Sequence, residues 1–163
     1  MSGRPVGRLV VLLLLFLGGL AACSPPMLGK SAVGWAKDGT AGPDVFAHPG
    51  DHVGERRILG GVILSVRQES GRAAIRLLAY PLDAKNYPEI GKPPMGSAVL
   101  LWKGPPLSSL FVSGNRLVAA GRLMPPGPHG TLHLLVRTLS PDTCLSAEGM
   151  VCRRTFLGCS CHN

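Results

Sequence analysis

Ile58-Leu59-Gly60-Gly61-Val62-Ile63-Leu64-Ser65-Val66-Arg67-Gln68, followed by Glu69-Ser70-Gly71 and then Arg72 to Tyr80, is the stretch that decides the fold. Its first part is dense in β-branched residues and leucine, which suits a long strand, and Gly60-Gly61 near its start permits a bulge or a sharp bend. Glu69-Ser70-Gly71 supplies turn chemistry, so the two apolar runs read as a β-hairpin.

Downstream the same texture recurs. Pro81 to Pro94 is a loop in which Tyr87 and Ile90 are expected to pack on the domain. A third strand runs from about Ser97 to Lys103, because Ala98-Val99-Leu100-Leu101-Trp102 is too short and too sharply bounded for a helix. Gly104-Pro105-Pro106 breaks the chain, and Leu107 to Phe111 is read as a short turn of helix. Arg116 to Met124 is a fourth strand, Pro125-Pro126-Gly127-Pro128 forces another loop, and Thr131 to Leu139 is a fifth, with His133 and Arg137 facing outward. Five short strands, an early hairpin and irregular connections predict an all-β fold, a small five-stranded OB-like partly open barrel, with a β-sandwich as the alternative architecture. The 22 glycines, 15 prolines and 5% aromatics agree with a turn-rich β chain.

Upstream, residues 24 to 50 hold nine prolines and glycines with no sustained period, and read as an extended tether lying on the domain surface. Before them, Arg4 and Arg8 precede the unbroken apolar run Leu9 to Leu17, and small residues follow, the pattern of a secretory signal too short to span a bilayer comfortably. The run ends in Leu20-Ala21-Ala22-Cys23, which resembles the lipobox of bacterial lipoproteins. That resemblance implies diacylglycerol on the Cys23 thiol, cleavage between Ala22 and Cys23, and fatty acylation of the kind palmitate labels. Serine at position 24, rather than aspartate, implies transfer to the outer membrane of a Gram-negative bacterium, on its periplasmic face. Two or three acyl chains make such an anchor effectively permanent, since each buried methylene contributes about 0.8 kcal/mol.

The expected organisation is a signal peptide over 1–22, a lipidated N-terminus and tether over 23–53, one β domain over 54–140 and a cysteine-rich tail over 141–163. Cleavage lowers the net charge only from +8 to +6, because Arg4 and Arg8 leave and no acidic residue does. The basic residues are scattered, with no cluster longer than two, and export removes the chain from nucleic acid, so nucleic acid is excluded as a partner.

Between Gly54 and Met124 several landmarks occur in order. Gly60-Gly61-Val62-Ile63, then Tyr80-Pro81-Leu82-Asp83, then Pro88 and Gly96, then Gly114-Asn115-Arg116-Leu117-Val118-Ala119-Ala120-Gly121-Arg122-Leu123 resemble the Slp family of outer-membrane lipoproteins, named for a starvation-inducible member. The resemblance implies a small β domain, and for most of that family it implies no catalytic activity; no cofactor is expected. Three departures stand out: no aromatic residue near Ala98 or Val99, Gly104-Pro105-Pro106-Leu107 where the family has Leu-Asp-Pro, and a C-terminal segment with four cysteines instead of aromatics.

Cys144, Cys152, Cys159 and Cys161 lack the paired spacing of a structural zinc site, even with His162 adjacent, and in an exported protein two disulfides with three open connectivities suit them better. His48, His52, His129 and His133 belong to no hydrolase motif. Tyr80 and Trp102 are the candidate ligand-binding aromatics of an OB-like face. Two functions follow: a non-enzymatic structural or accessory envelope lipoprotein, held to the membrane by its covalent lipid and partnered by an envelope protein, or a module binding an envelope glycan or lipid.

Overall fold

A computed structural model describes residues 26–69, 71–145, 151–155 and 158–160. Its elements are α1 (Lys30–Trp35), α2 (Pro43–Ala47), β1 (Arg56–Glu69), β2 (Arg72–Ala79), β3 (Gly96–Trp102), β4 (Arg116–Met124), β5 (Leu132–Pro141), β6 (Thr143–Leu145), β7 (Val151–Thr155) and β8 (Gly158–Ser160). The five expected strands are all present. They form a barrel in the order β1-β2-β3-β5-β4, and β6-β7-β8 form a separate small sheet.

The barrel is closed rather than partly open. Closure rests on the 14 residues of β1, which serve two partners in turn. Arg56 to Val62 pairs with β4, whereas Gly61 to Glu69 pairs with β2, so the strand changes partners around Gly61 and Val62. A bend that tight brings backbones together. A Cβ on Gly61 would sit 2.0 Å from the Leu78 carbonyl oxygen, and one on Gly60 would meet the side-chain ends of Val118 and Leu82 at 2.7 and 2.8 Å. The bulge expected at this glycine pair lies instead between Ile63 and Ser65. A second, between Ala120 and Gly121 on β4, leaves Arg137 of β5 without a register partner.

Alternation then fills the interior. Ala73, Ile75, Leu77 and Ala79 of β2 are buried, as are Leu132, Leu134 and Val136 of β5, and of these Ile75, Leu77, Leu132, Leu134 and Val136 join Leu59, Ile63, Leu100, Leu117 and Leu123 in one cluster. Strand β4 differs because it is buried on both faces: Leu117, Ala119 and Leu123 face the interior, and Val118 and Ala120 face outward into a second cluster. A strand apolar on both faces needs cover on both.

That cover comes from the segment expected to be an extended tether. Met27, Leu28, Ala32 and Ala36 pack on Ile58, Val118 and Ala120, with Trp35, Leu82 and Tyr87 at the edge. Arg56 and Arg137 stack on Trp35 at 5.5 and 5.0 Å from its ring centroid. Ala41 and Val45 enter the barrel's interior cluster, and Phe46 lies against Gly96, so α2 closes the end of the barrel where Ala79 pairs with Gly96. The chain from Met27 onward is therefore part of the packed body. Its many glycines and prolines set turns between buried residues rather than free motion.

Two smaller expectations are also corrected. Leu107 to Phe111 forms no helix; only a turn at Ser109-Leu110 occurs, and the Leu107 amide donates to Gln68 Oε1 at 3.1 Å. Pro105-Pro106 favours an extended approach to that segment. Tyr87 packs as expected, but Ile90 is 39% exposed. At the end of β5 the buried Asp142 carboxylate pairs with the Arg116 guanidinium, and its amide donates to the Arg116 carbonyl at 2.9 Å, locking β5 to the start of β4.

Gly61→Ala is expected to lower the free energy of unfolding by about 2–3 kcal/mol, because its methyl meets backbone that cannot yield cheaply. Gly60→Ala, which meets movable side-chain ends, is expected to cost less. Urea denaturation of both variants measures this, and a Gly61→Ala variant as stable as the parent would refute the role given to that residue.

Candidate functional site

Trp102 is the last residue of β3 and stands opposite Ala73 at the start of β2, beside the β1–β2 hairpin tip. Its indole N–H donates to the Pro105 carbonyl at 2.9 Å, which folds the following loop back over the ring. Gly104 makes this fold possible: a Cβ there would lie 2.4 Å from a ring carbon. Gln68 then holds the loop's far side through the Leu107 amide.

The result is a groove divided by Trp102. One half, of about 350 Å³, is bounded by Gln68, Arg72, Trp102, Pro105 and Leu107. The other, of about 360 Å³, is bounded by Arg67, Glu69, Arg72, Leu101 and Lys103. Each is of a size for a small molecule or one unit of an oligomer. An aromatic edge flanked by two arginines, a lysine and an amide can accept an apolar ring face together with hydroxyl or anionic oxygens. The ring also packs against the interior cluster, so its position is fixed by the core.

Tyr80 is elsewhere. It follows Ala79 at the opposite end of β2, where its amide donates to the Gly60 carbonyl at 3.0 Å. The six residue steps from Ala73 to Ala79 separate the two aromatics by about 20 Å along the strand. They do not share a binding face. Arg67, Gln68, Arg72 and Lys103, which the sequence reading did not single out, are what the fold gathers around Trp102. The usable signal was the register, since a hairpin tip opposite a strand-end tryptophan brings those residues together.

The histidines are dispersed. His52 lies between two carboxylates, with Nδ1 3.1 Å from Glu55 Oε2 and Nε2 3.6 Å from Asp44 Oδ2. Arg57 Nε donates to the same Glu55 oxygen at 2.8 Å, and the Arg57 and His52 hydrogen bonds hold the Glu55 pKa below its usual range. These contacts, with the Arg57 bond to the Thr40 carbonyl, fasten the 40–55 segment to β1. His133 lies against Gly127, and His48 and His129 occupy exposed turns.

Of the cysteines, Cys144 stands directly opposite Cys152 in the β6–β7 ladder, and Cys159 stands opposite Arg154 in β7–β8. Ala22, Cys23 and Cys161 lie outside the described residues. Among the described residues no helix is long and apolar enough to cross a membrane.

The family model described as "Outer membrane lipoprotein Slp family" matches residues 20–119. The chain belongs to the Slp family. The matched range begins at Leu20, at the head of Leu20-Ala21-Ala22-Cys23, runs through β1, β2 and β3, and ends within β4. Strand β5, which completes the Slp-like barrel here, and the small cysteine-bearing sheet lie beyond it. No curated protein matches the chain. Among solved structures, a crystal structure from Leishmania major Friedlin described as an aspartyl-tRNA synthetase is similar at 9% identity and a TM-score of 0.39, over 63% of this chain and 23% of that one. This chain thus spans under a quarter of that protein, and at such a TM-score nothing about its function follows.

Proposed function

We propose that this protein is a non-enzymatic structural or accessory lipoprotein of the outer membrane, anchored through lipid on Cys23 after cleavage behind Ala22, on the periplasmic face. The observation that carries this reading is the extent of the Slp match, which takes in the lipobox-like Leu20 to Cys23 together with the barrel strands. The landmark residues of that match support it physically. Gly60, Gly61 and Gly96 act through close packing, and Leu82 packs at the edge of the outer cluster.

The groove beside Trp102 supports a second reading, in which the barrel holds an envelope glycan or lipid. Its walls combine an aromatic edge with Arg67, Arg72 and Lys103.

The anchor is tested by growing cells with radiolabelled palmitate and fractionating membranes. The parent chain is expected to carry label and sediment with the outer membrane, and Cys23→Ser to lose both. An unlabelled, soluble parent would overturn the proposal. The second reading is tested by titrating purified envelope glycan and lipid fractions against tryptophan fluorescence in a Trp35→Phe background, where Trp102 alone reports. Saturable binding weakened at least tenfold by Arg72→Ala supports it, and no saturable signal with any fraction refutes it.

A further inference from the structure

We infer that the barrel is seated against the phospholipid surface by its Lys85 end, which leaves the Trp102 groove directed away from the membrane. The inference rests on the proposed lipidation of Cys23. Met27 is 2% exposed, and its amide donates to the Lys85 carbonyl at 3.0 Å, so the packed body begins there. Only Ser24, Pro25 and Pro26 separate it from Cys23. Four residue steps cannot exceed about 14 Å even when fully extended. The headgroup layer of one leaflet is itself about 5–7 Å deep, so much of that length is used within it.

The surface held this close is the loop between β2 and β3 with the start of α1. It exposes Ile90, and it carries Lys30 and Lys85, which make no ion pair among the described residues, beside the Lys92–Glu89 pair at 2.7 Å. Exposed cations and an apolar side chain at the interface suit anionic phospholipid headgroups. The groove lies at the other end of β2, about 20 Å further along the strand. A long leash would let the domain tumble, but four residue steps are too short for that.

The experiment uses the full lipidated chain, extracted from membranes and reconstituted in phosphatidylethanolamine and phosphatidylglycerol vesicles containing brominated lipid. A fluorescent amino acid is placed at position 85 or at position 72. Position 85 is expected to be quenched at least twofold more than position 72. Twelve Gly-Ser residues inserted between Ser24 and Pro25 are expected to abolish the difference while the protein still floats with the vesicles. Equal quenching at both positions in the unextended, co-floating protein would overturn this orientation alone. Protein that does not float at all would overturn the anchor reading and the orientation with it.

Discussion

Everything in this fold depends on one strand serving two ladders. β1 must leave β4 and join β2 within a residue or two, and the backbone can do so only where it passes against Leu78 and Ala79 without a side chain between. Gly61 meets that requirement by having nothing to place there, at the usual entropic cost of glycine in a strand. Closure follows, and with it an interior in which Ile63, Ile75, Leu77, Leu100 and Leu134 are sealed from water. The Slp landmark Gly60-Gly61 thus has a mechanical meaning.

Closing a barrel this small leaves the outer face of β4 as a second problem. Val118 and Ala120 would be bare if the preceding segment were a loose leash, and Met27, Leu28 and Ala32 cover them instead. The arginine pair on Trp35 lies at the edge of this cover, and Arg137, which has no register partner in the β4–β5 ladder, is one of the two.

The strands were legible because short apolar runs ended at glycine and proline, and because β2 alternates cleanly between buried and less buried residues. Closure was not, since it is a pairing between residues some sixty positions apart that no local period records. How closely the N-terminal segment packs is not legible for a different reason: turn residues dominate its composition, and its buried residues are spaced to fit a β surface rather than a period of their own. The continuous apolar run Leu117-Val118-Ala119-Ala120 was the available clue, because a strand apolar on both faces demands an outer partner. Of the candidate site, Trp102 was legible as an aromatic at a strand end. Its neighbours Arg67, Gln68 and Arg72 were not, because they become neighbours only through the register.

Of the three departures from the resembled pattern, the 104–107 loop is the one that shapes the groove. Gly104 lets the loop fold onto Trp102, the Pro105 carbonyl caps the indole, and Leu107 ties the loop to Gln68. The early landmarks, by contrast, sit toward the opposite end: Gly61 against Ala79, and Gly96 under Phe46. Shared scaffold and individual surface are thus separated along the length of β2. A change in the 104–107 loop alters what the far end can touch without disturbing the bend that closes the barrel or the cover over β4. In the proposed orientation that far end is also the one furthest from the lipid. A scaffold built this way can keep its seat on the membrane while its exposed end diverges.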